Sequence, residues 1–148
     1  SRGILLMSIL SESLVLIVAL LHIAFLYLEM VLWTRPRGLK AFGNTPEKAE
    51  ITRVLAANQG LYNGFLAAGL VWSLLASSPL FAFELKLFFL GCVIVAALFG
   101  AATVSRRILY IQGLPALVAL AMTVAFANPY MQAEAIETAA SAPIVMTD

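Results

Sequence analysis

Charged side chains are scarce in this sequence. They make up 11% of its 148 residues, whereas 62% of the residues are hydrophobic and the mean hydropathy is +0.97. Soluble domains carry about 25% charged residues, so this composition is typical of a membrane protein. At about 20 residues per span, the length suffices for roughly four membrane helices and short loops. The sequence therefore predicts an all-α, polytopic membrane protein, a four-helix transmembrane bundle in contact with the lipid bilayer.

Cysteine and histidine each occur only once, as Cys92 and His22. A single cysteine excludes an internal disulfide. A single histidine excludes bis-histidine haem ligation and a multi-histidine metal site within one chain. No phosphate-binding glycine loop is present, and the formal charge of +1 gives no indication of nucleic-acid binding. We therefore expect no metal, no cofactor and no nucleic-acid partner.

Four apolar segments divide the chain, and we predict spans at residues 11–33, 50–76, 81–103 and 108–127. Together they define a membrane domain over residues 7–127. Residues 1–6 are interpreted as a tag remnant or N-terminal extension, and residues 128–148 as a C-terminal tail that is mobile or forms a short surface helix. Thr45 followed by Pro46 is typical of a helix start, so the second helix begins before its span. Pro115 predicts a local kink in the fourth span.

The basic residues are distributed unequally between the two ends of the predicted bundle. Arg2 and Lys86 belong to one end, and the other seven belong to the opposite end: Arg35, Arg37, Lys40, Lys48, Arg53, Arg106 and Arg107. The end rich in arginine and lysine is cytoplasmic in most membrane proteins. The sequence therefore predicts that both termini lie outside.

The second predicted span contains polar side chains, which are costly in hydrocarbon unless they find hydrogen-bonding partners. Asn58, Gln59, Tyr62 and Asn63 share one arc of its helical wheel. A neighbouring arc of small residues includes Gly60 and Gly64, spaced to permit close approach of another helix. This glycine pair favours packing within the bundle, and a homodimer through Gly60 and Gly64 is the alternative.

Other predicted spans add polar groups to the cytoplasmic half. Glu29 lies near the end of the first span, seven residues after His22 and hence on the same face. An ionised carboxylate there is costly without a partner, so Glu29 is either a functional group or a structural hydrogen-bond anchor. We predict a binding site formed at this level, with His22 deeper, by His22, Glu29, Trp33, Asn58, Gln59, Tyr62, Asn63, Thr103 and Gln112.

Three stretches resemble a bacterial family of small membrane proteins, domain of unknown function 1304. They are LYLEMVLW at residues 26–33, LAANQGLYNGFLAAGL at 55–70 and FFLGCVIVAALFGAATVSRRILYIQGLPALVAL at 88–120. The resemblance implies a four-helix protein of the bacterial inner membrane without an assigned activity. Its signature positions correspond here to His22, Glu29, Trp33, Asn58, Gln59, Gly60, Tyr62, Asn63, Gly64, Gly100, Gln112 and Pro115. On this basis Gly100 and Pro115 are expected to pack helices.

The leading functional hypothesis is a cytoplasm-facing pocket within the membrane that binds or permeates a small amphipathic or cationic molecule. Glu29 would match the ligand's charge, and the amides would orient it. One alternative is an enzyme or quinone/redox accessory resembling DoxX-like bundles, with His22 and Glu29 as an acid–base pair. Another is a structural subunit held by a buried amide network. A small multidrug exporter fits less well, because the charge bias predicts a single orientation and Glu29 lies off the membrane centre.

Overall fold

The computed structural model describes residues 2–141, and within this range the chain forms helices and no strand. The predicted all-α class is therefore confirmed. The helices are α1 (Arg2–Met30), α2 (Pro36–Phe42), α3 (Pro46–Leu75), α4 (Pro79–Thr103), α5 (Leu114–Phe126) and α6 (Pro129–Ser141), and a π-helical turn at Leu109–Gly113 precedes α5.

Local sequence signals account for several helix ends. The Thr45 hydroxyl accepts a hydrogen bond from the backbone N–H of Lys48 at 3.3 Å, and a proline follows Thr45 at the first helical position of α3. Ser78 caps α4 in the same way, accepting from the N–H of Phe81. Gly43 ends α2 in a left-handed conformation, with φ of 63°, which glycine adopts without steric cost.

Two helix ends differ from the predicted spans. α1 begins at Arg2, before the predicted start at residue 11, and residues 2–6 continue it as one helix. It ends at Met30, so Trp33 lies in the turn after it. Residues 4–10 are mostly apolar and extend the helix toward the N-terminus, whereas the hydropathy pattern predicted a span that starts only at residue 11.

The two segments predicted as connector and tail also contain helices. The connector after α1 forms the short helix α2. The predicted tail forms α6 as far as Ser141. Residues 142–148 of the predicted tail lie outside the described residues, as does residue 1 of the predicted N-terminal extension.

Helices α1, α3, α4 and α5 pack as a bundle. α1 packs most extensively against α3 and next against α5, while α4 contacts α3, the π turn and α5. α6 contacts α4. Small and branched side chains form the centre, which permits close helix approach: Val15, Val18, Ala19, Leu70, Leu90, Val93, Ala116 and Ala119.

Large apolar side chains cover the outer surface of this bundle. Each of α1, α3, α4 and α5 carries a large apolar side chain that is more than half exposed, namely Ile17, Phe65, Phe99 and Leu117. Exposed apolar surface of this extent is typical of contact with a membrane. Three segments are long and apolar enough to span one, Arg2–Met30, Pro79–Thr103 and Leu109–Ser141.

α3 is not among these three segments of the described chain. Its amides, glycines and charged first turns lower its mean hydropathy, although with 30 residues it is the longest helix described. The described residues therefore form an all-α structure with three candidate membrane spans, and the predicted bundle of four spans stays a prediction. The membrane role of α3 stays a prediction.

Gly60 and Gly64 bring α3 close to α1. A Cβ at Gly60 would lie 2.8 Å from the Met30 Cγ and 3.2 Å from the Leu26 carbonyl oxygen, and a Cβ at Gly64 would lie 2.6 Å from the Leu26 Cδ1. The predicted close packing therefore occurs between two helices of the same chain. A homodimer through these glycines stays a prediction.

A π-helical turn precedes Pro115, which lies at the start of α5, and the local kink expected at Pro115 stays a prediction. Proline has no N–H and cannot bond the carbonyl four residues earlier, and a widened turn accommodates this loss. Gly113 in this turn packs tightly on α4, since a Cβ there would lie 3.1 Å from the Ala97 Cβ. Gly100, also expected to pack helices, lies against Ile108, whose Cγ2 would be 3.0 Å from a Cβ.

Candidate functional site

Polar side chains form one buried stripe along α1. Ser11, His22 and Glu29 are each at most 3% exposed. They are separated by eleven and seven residues, which correspond to about three and two helical turns, so they lie on one side of α1. Ser11 and His22 meet side chains from the α5 region, and Glu29 meets a side chain from α3. Among the described residues, this stripe contributes to three polar layers, called inner, middle and outer in order from the C-terminal to the N-terminal end of α1.

Glu29 and Asn63 form the inner layer. The Asn63 side-chain amide donates a hydrogen bond of 2.8 Å to Glu29 Oε1. Gly60 lies one turn before Asn63, and a Cβ there would lie 3.1 Å from the Glu29 Cβ, so the absence of a side chain permits this approach. Glu29 Oε2 is buried and has no hydrogen-bond partner among the described residues. Buried polar atoms normally have a partner, so Oε2 offers an unused acceptor for a ligand or water.

His22 and Gln112 form the middle layer. The ring Nδ1 is 2.8 Å from the Val18 carbonyl oxygen, which can only accept, so Nδ1 carries the hydrogen. In the neutral ring Nε2 is then an acceptor, and the Gln112 amide donates to it over 3.0 Å. His22 is fully buried and both ring nitrogens are engaged. The sequence placed Gln112 at the level of Glu29, whereas the structure places it at that of His22.

Ser11 and Thr123 form the outer layer, with their hydroxyl oxygens 3.2 Å apart. Both side chains are fully buried. The interval from Ser11 to His22 equals the interval from Gln112 to Thr123, eleven residues in each case. Helix α1 therefore runs antiparallel to the segment that contains Gln112 and Thr123, and the two hydrogen-bonded pairs keep the same spacing along both segments.

Trp33 lies apart from the polar layers. Its indole N–H donates to the Thr52 hydroxyl over 3.1 Å, which joins the turn after α1 to the first turns of α3. Its ring also packs against Phe42, with centroids 4.7 Å apart. The structure therefore places Trp33 in a contact between α2, α3 and the end of α1.

Four other predicted site residues, Asn58, Gln59, Tyr62 and Thr103, are exposed in the structure. The Asn58 amide and the Thr103 hydroxyl each bond a backbone carbonyl of their own helix. At about 100° per residue, Asn63 is only about 60° from Gly60 around α3, whereas Asn58 is about 160° away. Because Gly60 faces α1, Asn63 turns inward. The structure therefore does not bring these four residues together with Glu29.

Cavities open at the surface of the bundle, and two of them are described by their lining residues. One, of about 460 Å³, is an apolar groove between α1 and α3 near Leu26 and Gly64. Another, of about 530 Å³, lies at the end of the bundle where α1 begins, named the outer end after the predicted topology, and includes Glu12 and Lys86. Neither cavity is lined by Glu29, His22 or Asn63. Sequence reasoning did not single out Lys86 as a site residue, although a lysine at the sixth position of the predicted span 81–103 was a signal for one.

The comparisons with known proteins agree with the sequence resemblance. A family model described as "Protein of unknown function (DUF1304)" matches residues 16–124, which include the His22–Gln112 and Glu29–Asn63 pairs. The "Uncharacterized protein YpaA" of Lactococcus lactis subsp. lactis (strain IL1403) is 34% identical over 116 residues, covering 77% of this chain and 96% of that protein. No solved structure matches. The chain therefore belongs to the DUF1304 family.

Proposed function

We propose that this protein crosses the bacterial plasma membrane four times, with both termini outside. The bacterial relative, the apolar outer surface and the distribution of arginine and lysine support this arrangement. α3 would be the remaining span, since it packs along α1 and its 30 residues extend about 45 Å. Its Phe65 and Trp72 are more than half exposed and would face lipid.

Within this bundle we propose a site that binds or conducts a small cationic molecule at Glu29. The buried, unpartnered Oε2 of Glu29 carries this proposal. A protonated amine supplies both a positive charge and N–H donors, and charge-assisted hydrogen bonds are about twice as strong as neutral ones. Asn63 holds the other carboxylate oxygen and would fix the orientation of the group.

The position of Glu29 indicates the direction of access. It lies one residue before the end of α1, at the end of the bundle rich in arginine and lysine. A ligand would therefore enter from the cytoplasm. The exposed polar residues of that end, including Asn58, Gln59 and Thr103, would then border the entrance.

The test uses two matched probes and the purified protein in a mild detergent. Octylammonium carries N–H donors, whereas octyltrimethylammonium has the same chain and charge without them. We expect octylammonium to raise the Tm of the wild type more than octyltrimethylammonium does. Glu47→Gln, on the exposed first turn of α3, is the control variant and should respond as the wild type does. At a hundred times Kd, the linked stabilisation is about 2.7 kcal/mol.

The two site variants decide the outcome. Glu29→Gln should abolish the shift produced by octylammonium, and Asn63→Ala should reduce it. An equal shift in the wild type and Glu29→Gln would show that the cation binds elsewhere and would refute the proposed site.

A structural subunit is the second candidate. The Ser11–Thr123 and His22–Gln112 pairs are fully buried or nearly so, and the two side chains of each pair are hydrogen-bonded to one another. Such pairs stabilise and align helices without any ligand. His22 uses both ring nitrogens in this network, which leaves neither for an acid–base pair with Glu29. The structural candidate predicts that Glu29→Gln changes neither probe binding nor assembly.

A further inference from the structure

The outer end of the bundle contains a cavity that the proposed Glu29 site does not use. It has a volume of about 530 Å³ and lies among α1, α3, α4 and the start of α6. Typical small-molecule pockets measure about 300–1,000 Å³. Its wall combines apolar side chains such as Leu5, Leu74 and Phe126 with the polar side chains of Ser8 and Lys86. This mixture suits an amphipathic ligand.

Lys86 is the unusual residue of this cavity. Its side chain is only 5% exposed, and its single ion-pair partner is Glu12, with Nζ 3.6 Å from the carboxylate Oε1. A well-formed bond between an ammonium and a carboxylate is about 2.7–2.9 Å long. Glu12 is itself 54% exposed and free to turn toward water. Within residues 2–141, the buried cation therefore has one distant, movable partner.

Another acid near this end, Glu84 on α4, is engaged elsewhere. Glu84 accepts a hydrogen bond from the Tyr130 hydroxyl at 3.2 Å, which ties α4 to α6. The ring of Tyr130 also packs edge-on against Phe83, with centroids 6.1 Å apart. These contacts hold α6 beside the cavity without supplying a second carboxylate to Lys86.

We propose that this outer cavity binds an amphipathic anion, whose carboxylate or phosphate group pairs with Lys86 and whose hydrocarbon tail lies against the apolar wall. A buried cation favours a compensating charge over an unpaired state. The anion would replace Glu12, which would then turn outward. The head group could come from an anionic phospholipid or from a free organic anion, since both offer the same oxygens.

Two measurements distinguish these sources. The first is native mass spectrometry of the protein from nanodiscs containing equal amounts of phosphatidylglycerol and phosphatidylcholine. The second is binding of dodecyl phosphate to the protein in phosphatidylcholine nanodiscs. Retained phosphatidylglycerol indicates a lipid ligand, and saturable dodecyl phosphate binding without it indicates a free anion.

Lys86→Met and Glu12→Gln test the role of each charge. Lys86→Met keeps an unbranched apolar side chain and should weaken anion binding at least tenfold. Glu12→Gln removes the competing carboxylate and should strengthen it severalfold. Lys40→Met, at an exposed position of α2, is the matched control and should bind as the wild type does.

The proposal is overturned if Lys86→Met and Lys40→Met bind both anions equally, or if neither anion binds the wild type. Should Lys86→Met not fold, unchanged or weaker binding by Glu12→Gln would overturn it independently. Because Glu29 lies at the opposite end, Glu29→Gln should leave anion binding unchanged, so this proposal and the Glu29 site fail or succeed separately.

Discussion

Replacing Gln112 with leucine removes the donor that the structure assigns to His22 Nε2. The ring nitrogen would stay buried as an unpaired acceptor, at a cost of about 1–3 kcal/mol. Replacing His22 with leucine as well removes the stranded acceptor. The double variant should therefore be more stable than the sum of the single changes implies. Hydrogen bonds between membrane helices contribute about 0.6 kcal/mol on average and up to about 1.7, so we expect a coupling energy of about 1 kcal/mol.

The assay is reversible unfolding in mixed micelles, followed by circular dichroism, for the wild type, both single variants and the double variant. A second double-mutant cycle uses Ser11→Ala and Thr123→Val at the outer layer. The two hydroxyl oxygens are 3.2 Å apart there, so their coupling energy should be smaller. A His22–Gln112 coupling within about 0.3 kcal/mol of zero would refute the hydrogen-bonded register of α1 and α5, because additivity is expected only for sites that do not interact.

Three further predictions concern packing, the turn after α1 and topology. Gly60→Val should destabilise the protein by about 1–3 kcal/mol through overpacking against α1. Gly91→Ala, with nothing within 4 Å of the new Cβ, should cost nothing in the same unfolding assay. Equal stability of the two variants would contradict the close approach of α3 to α1. Trp33→Phe keeps an aromatic ring but removes the indole N–H that donates to Thr52 of α3, so loss of this hydrogen bond should lower the free energy of unfolding by about 0.5–1.5 kcal/mol. In a Cys92→Ala background, Lys40→Cys should react with a membrane-impermeant maleimide only in permeabilised cells, and labelling of intact cells would reverse the proposed orientation.

Helix positions could largely be predicted because their signals are local. Thr45, followed by Pro46, predicts the start of α3 through capping chemistry that depends on neighbouring residues alone. Ser78, followed by Pro79, caps α4 by the same chemistry, although the sequence pattern predicted that span from residue 81. The π turn could not be specified in the same way. Pro115 indicated an irregularity, but its form depends on how Gly113 packs against α4.

The candidate site could be predicted only in part, because periodicity groups residues into faces without saying which neighbour each face meets. Glu29 and Asn63 were expected at similar depth, and the structure joins them. Asn58 shares the predicted polar arc with Asn63, yet the packing of Gly60 on α1 rotates Asn58 outward. Gln112 was placed with Glu29, whereas pairing with His22 requires the register between two helices. Such a register depends on tertiary packing.

The most direct test of the Glu29 site is native mass spectrometry of the gently extracted protein, with the wild type and Glu29→Gln measured side by side. We predict a bound small molecule that the wild type retains and Glu29→Gln loses, with the oligomeric state unchanged. An empty wild type with the same assembly as the variant would contradict the binding site and would favour the structural subunit.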